Sequence, residues 1–146
     1  MRVTMTILTG LMMVLTAQSE LVTALRPTIR EAAAKHGLDP VLIEAIMRHE
    51  SANATSSAAR KKNNLAGIMG RRGQRRYASK EACVQDLAEL LAKYRAIKLH
   101  TTPPVARLYG SQCGGCNMSL PQVTLRKFKN DVQYIECENC GRLIIQ

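Results

Sequence analysis

Apolar residues along the first hundred positions follow several rhythms, and each predicts a different element. Val3 to Ala17 is an almost continuous apolar run, preceded by Arg2 and followed by Ala17-Gln18-Ser19, a small-x-small signature. That order reads as a secretory signal over residues 1–19, shorter than the roughly 20 apolar residues that a bilayer-spanning helix needs. An uncleaved anchor and an ordinary first helix are the alternatives. From Glu20 to His36 the rhythm becomes helical, with Val22, Leu25, Ile29, Ala32, Ala33 and His36 on one face. Pro27 either starts this helix or kinks it, and Gly37 supplies a stop. Asp39-Pro40 is an N-cap followed by proline at the first helical position. The second helix so begun carries an apolar stripe of Val41, Leu42, Ala45, Ile46 and His49, and fades at Glu50-Ser51.

The pattern then weakens. Ala52 to Arg60 predicts a loop or a short weak helix, and Lys61 to Lys80, punctuated by Gly67, Gly70 and Gly73, predicts loop with at most a small hairpin. Ser79 can cap a third helix, Lys80 to Tyr94, burying Cys83, Leu87, Leu90, Leu91 and Tyr94. Thr101-Thr102-Pro103-Pro104 breaks it. Short β-type runs follow at Val132 to Glu136 and Leu143 to Ile145. The expected organisation is α+β: a mainly α domain over residues 20–100, a linker at 101–111, and a small β module at 112–146. No internal repeat is visible.

Composition narrows the functions available. The 146 residues carry a net charge of +10, and 46% are apolar, so the chain is not compositionally disordered. Only 3% are aromatic and none is Trp. That argues against stacking platforms for single-stranded nucleic acid and against an aromatic-lined sugar cleft. The charge is local. Arg60, Lys61, Lys62, Arg71, Arg72, Arg75, Arg76 and Lys80 form a basic segment over residues 60–80 that contains no acid. Such a block is either a solvated surface or a face for an anionic polymer.

Five cysteines change the picture further. Cys113-Gly-Gly-Cys116 and Cys137-Glu-Asn-Cys140-Gly141 are two C-x-x-C pairs, a spacing that signals zinc. A turn over two residues brings both thiolates to one side, and Gly114, Gly115 and Gly141 permit it. Two such turns close a four-thiolate site with no open position, so the Zn2+ would be structural. Two disulfides are the alternative. Cys83, on an apolar helix face, reads as a core residue. Together with Asn117-Met-Ser-Leu-Pro-Gln122, Asp131 to Ile135 and Gly141 to Ile145, the pairs resemble the four-cysteine zinc ribbon that ends a family of bacterial coiled-coil proteins. The resemblance covers residues 112–146. It implies a module that docks a protein or nucleic acid.

Glu50 is the candidate reactive group. A glutamate at a helix end beside a glycine-containing loop is either a solvated carboxylate or a general acid; the second role requires an apolar surrounding, which nearby cations such as Arg48 oppose. The order Gly37-Leu-Asp-Pro-Val-Leu-Ile-Glu-Ala-Ile-Met-Arg-His-Glu50-Ser51, then Asn63-Asn-Leu-Ala-Gly-Ile68, then Tyr77 to Leu87 resembles the glucosaminidase family of lysozyme-like peptidoglycan hydrolases. The match covers about residues 21–109. It implies a lysozyme-like domain that cleaves β-1,4 glycan bonds as an N-acetylglucosaminidase, with Glu50 as proton donor and Asn64, Gly67 and Tyr77 lining the cleft. Glycosidases ordinarily use two carboxylates, yet residues 51–80 contain neither Asp nor Glu. The second group would then be the substrate's own acetamido or hydroxyl group, or Glu81 or Asp86.

Two functions therefore stand side by side. One is a peptidoglycan hydrolase, exported to the periplasm or cell wall, binding peptidoglycan or another anionic polymer through residues 60–80. The other is a non-catalytic zinc-ribbon adaptor for a protein or nucleic acid, with a cytoplasmic location as its counterpart. Neither requires a membrane span beyond the N-terminal segment.

Overall fold

The computed structural model describes residues 21–70, 72–129 and 134–145. The expected signal at 1–19 lies outside them. The architecture is α+β, and the chain divides into two compact units, residues 1–68 with 76–88 and residues 69–75 with 89–146.

The first unit is helical. Residues 21–24 are helical, and a turn at Leu25 leads into α1 (Arg26–His36), with Pro27 in its first turn, where a missing amide hydrogen costs nothing. Gly37 ends α1 in the left-handed conformation, its φ being 61°, and Leu38 N donates to Ala33 O at 2.8 Å. Asp39 caps α2 (Pro40–Glu50) by accepting from Val41 N at 2.8 Å. Both ends thus follow from local sequence.

The buried side of α2 does not match the expected stripe. Ile43 and Met47 are fully buried, whereas Val41 and Leu42 are 71% and 48% exposed, and Ala45 and His49 are exposed too. Beside the buried face lies an ionic clamp. Glu44 accepts from Arg26 of α1 (3.2 Å) and from Arg48 one turn on (2.7 Å). Ile43 and Met47 turn inward with Ile29, Ala32 and Ala33 of α1, and burial of two large apolar side chains outweighs an ion pair whose arginine is half-exposed.

After Glu50 comes an unusual turn. Ala52, Asn53 and Ala54 all have positive φ, at 49°, 55° and 67°. Ala52 N donates to His49 O (3.3 Å) and Asn53 N to Arg48 O (2.8 Å), the paired bonds that normally close a helix on glycine. Buried Ser51 pins the turn, its hydroxyl accepting from Ala54 N at 2.8 Å. The short helix α3 (Ser57–Lys62) follows, capped by Ser56 and ended at left-handed Asn63. The chain returns beside it, with Tyr77 N donating to Lys62 O at 2.8 Å. Ser79 then caps α4 (Lys80–Lys98) through Ala82 N. This helix runs four residues beyond the expected end. In the first unit it buries Cys83, Val84, Leu87 and Ala88. Of the expected core, Leu90 and Leu91 are only half-buried and Tyr94 is 39% exposed.

The second unit holds a two-residue hairpin, β1 (Met69–Gly70) with β2 (Gly73–Gln74), and a four-stranded sheet. The sheet order is β4 (Gln112–Cys113), β3 (Val105–Tyr109), β6 (Leu143–Ile145), β5 (Ile135–Glu136). The β3–β6 pair is parallel, Val105 opposite Leu143, and the other pairs are antiparallel. Residues 101–111, expected as linker, therefore contain a strand of this sheet. A helix that the sequence pattern does not predict, α5 (Gln122–Lys129), lies between the cysteine pairs; its Phe128, and Leu120 just before it, cluster with Ile135 and Ile144. Among the described residues no helix is long and apolar enough to cross a membrane.

Candidate active site and metal centre

Glu50 is the last residue of α2, and its side chain is 48% exposed. Arg48, two residues before it, is occupied by Glu44 and Thr23. The neighbour that touches Glu50 is His49, with Nδ1 at 3.5 Å from Oε1. Across from the carboxylate lies Gly67, which has a φ of +64°; a Cβ built there would sit 2.8 Å from Glu50 Oε2. Glycine therefore serves twice at this position, supplying the left-handed backbone and leaving room for the carboxylate. The structure brings these two expected site residues into contact.

Asn64 is placed differently. It is 1% exposed, and its side chain accepts from Ile68 N (3.0 Å) and donates to Ile68 O (2.7 Å). It staples the 64–68 loop that carries Gly67, so it positions the site from beneath. Leu65 N adds a bond to the Cys83 sulfur at 3.3 Å, which gives that core cysteine a structural task. Tyr77 is also buried, and its hydroxyl donates to Asp86 Oδ2 at 2.5 Å. Neither acid considered as a second carboxylate is uncommitted. Asp86 holds Tyr77, and Glu81 lies below the usual carboxylate range because its own backbone amide and the Ser79 hydroxyl donate to it.

The four cysteines come together in the second unit. All four sulfurs lie within 4.8 Å of one another, with Cys113–Cys140 at 3.8 Å and Cys116–Cys137 at 3.7 Å. A tetrahedron with metal–sulfur bonds of about 2.3 Å has edges of about 3.8 Å, whereas a disulfide requires about 2.05 Å. The donor set and its spacing fit a closed four-thiolate metal site. Gly115 N donates to the Cys113 sulfur at 3.4 Å, and Gly141 closes the second turn at a φ of +72°. The Met118 backbone amide and the Asn139 side chain bring the Cys116 thiol down to about 6, while burial pushes Cys137 up to about 12. Burial also pushes Cys140 up, but the backbone and side-chain N–H groups of Arg142 outweigh it and hold the thiol below its ordinary value.

Arg142 was not singled out by the sequence, since no spacing rule marks it. Its side chain lies flat on Gly115, where a Cβ would meet Arg142 Cδ at 2.5 Å, and its Nε donates to Pro103 O at 2.9 Å. One side chain thus ties the second cysteine turn to the first and to the chain entering β3.

A family model described as mannosyl-glycoprotein endo-β-N-acetylglucosaminidase matches residues 26–134. The chain belongs to the glucosaminidase family. The matched span runs from the start of α1 to Tyr134, so this glucosaminidase match includes residues 101–111, β4 and the first cysteine pair but stops short of the second. Family membership supports a peptidoglycan-hydrolase-like function for this lysozyme-like domain and a role at the cell wall. No curated protein and no solved structure matches the chain.

Proposed function

We propose that this glucosaminidase hydrolyses β-1,4 glycan bonds of peptidoglycan as an N-acetylglucosaminidase, with Glu50 as the general acid. The observation that carries the reading is the Glu50–Gly67 contact: a half-exposed carboxyl at a helix end, faced by a residue with no side chain. Glu50 donates its proton to the glycosidic oxygen as the C1–O bond breaks, so the leaving sugar departs as a neutral alcohol. Residues 51–80 supply no carboxylate and Asp86 is held by Tyr77, so attack at C1 is assigned to the substrate itself. Its acetamido oxygen forms the new bond to C1, and water later opens that intermediate, returning a proton to Glu50. Asn64 and Tyr77 hold the loop and the α4 start that frame the site.

In this reading the four cysteines bind a structural Zn2+, which supplies folding energy to the second unit and takes no part in the chemistry. The protein is exported and works on the wall. Turbidity loss of purified cell walls tests the proposal. Wild type should clear the suspension, and Glu50→Gln should slow it by about 10²–10⁴-fold, the usual weight of a general acid. Inert wild type, folded and metal-loaded, would sink the reading.

A further inference from the structure

We infer that α3 and residues 76–80 beside it form a docking face for a flexible, base-free phosphodiester polymer. In sequence the cations Arg60, Lys61 and Lys62 are more than a dozen residues from Arg76 and Lys80. The fold zips them together. Arg76 Nη1 donates to Lys61 O at 2.6 Å, Tyr77 N to Lys62 O at 2.8 Å, and Asn63 Nδ2 to Tyr77 O at 3.1 Å. These bonds set the last turn of α3 against residues 76–78, and Lys80 opens α4 just beyond. Five cations share one small region of the first unit; residues 51–80 hold no acid, and Glu81 beside Lys80 is the first acid that follows.

Crowding five like charges has an electrostatic cost that an extended anion relieves. A phosphodiester chain carries one charge per repeat along a single strand, so one molecule can meet all five. In peptidoglycan the carboxylates hang on separate peptide stems instead of running along one strand. Nucleic acid is disfavoured by what surrounds the cations. Tyr77, the aromatic residue of the described first unit, is 8% exposed, so bases would find no stacking surface there. The face is tethered to the candidate site, since Ser56 N, at the start of α3, donates to Ser51 O at 3.0 Å, one residue from Glu50. Docking would therefore hold the wall polymer and the reactive carboxylate on one rigid unit.

The test uses the full chain and fluorescence anisotropy on labelled synthetic poly(glycerol phosphate), with oligothymidylate of equal charge alongside. Five contacts predict a slope of log K against log salt of about −3.5, a loss of about a hundredfold between 50 and 200 mM salt. Replacing Arg60, Lys61 and Lys62 with Gln should reduce the slope to about −1.4, or about sevenfold over the same range. The same charge removed at exposed Lys35, Lys98 and Lys127 should leave the slope within about half a unit of wild type, and thermal melts check that each variant folds. Glu50→Gln should bind like wild type, which separates this inference from the hydrolase reading. An unchanged slope in the α3 variant, or equal loss in the control variant, would overturn the assignment. Tenfold tighter binding to oligothymidylate would replace the polymer with nucleic acid.

Discussion

Gly67→Ala separates the two tasks of that residue. Its φ of +64° costs an L-residue about 1–2 kcal/mol, so the variant should melt several degrees lower. The added Cβ would start 2.8 Å from Glu50 Oε2, about 0.6 Å inside ordinary contact distance. A carboxylate at the end of a flexible side chain can yield that distance cheaply, so the clash itself adds little to the stability loss. It displaces the reactive oxygen instead. A misplacement of 1 Å can cost about 10²-fold in rate, and 0.6 Å scales to about tenfold or somewhat more. Gly67→Asn sharpens the comparison, because Asn tolerates the left-handed region yet carries the same Cβ. The assay is wall-clearing rate at a temperature well below either melting point, with Tm measured in parallel. Both variants should lose activity to a similar degree, while Asn loses less stability. If Gly67→Ala melts lower but clears walls within twofold of wild type, the contact does not position a catalytic group and the reasoning fails.

Other consequences are open to simple measurements. Ala52→Gly should raise stability by about 1 kcal/mol, because exposed Ala52 holds the left-handed position where a helix stop favours glycine; unchanged or lower Tm would contradict this. Hydrogen bonds from Arg26 and Arg48 hold the Glu44 carboxyl below its ordinary 4.5. Its contribution is thus full above that value and lost as pH falls through the lowered one, and Glu44→Gln should flatten the acid limb by up to about 1 kcal/mol, less at high salt. A strong chelator should unfold β3–β6 and α5 as judged by circular dichroism, with about one zinc released per chain, and Cys116→Ser should prevent reloading. Arg142→Gln should weaken Co2+ binding by about 10–100-fold, read from the thiolate charge-transfer band, while the band itself persists.

What was legible in the sequence was what a few adjacent residues determine. Asp39-Pro40 starts α2, Gly37 ends α1, Ser79 starts α4, and each C-x-x-C-with-glycine turn brings its sulfurs to one side. The rotation of α2 was not legible, because two stripes share the helical spacing and what α1 presents to them is set by the packed fold. Ile43 and Met47 bury more apolar surface than Val41, Ala45 and His49 would, and that difference decides the inward face. Strand β3 escaped notice for a similar reason, since its parallel partner β6 lies more than thirty residues later. Helix α5 is rich in Arg, Lys, Thr and Gln, and its place depends on Phe128 and on the Thr124–Glu138 hydrogen bond, neither of which is local. At the candidate site, the motif carried Glu50 and Gly67 to the same place. It did not reveal that Asn64 works as a buried staple under them, because burial is a property of the packed loop.

The central claim is that Glu50 delivers the proton that breaks a glycan bond. Glycan strands digested with wild type and with Glu50→Gln, reduced with borohydride and analysed by mass spectrometry, address it directly. Wild type should generate N-acetylglucosaminitol ends, and the variant, with the same Tm and metal content, should generate them at least about a hundredfold more slowly. Equal rates of new ends from the two proteins, or new ends bearing only the other sugar, would contradict the account.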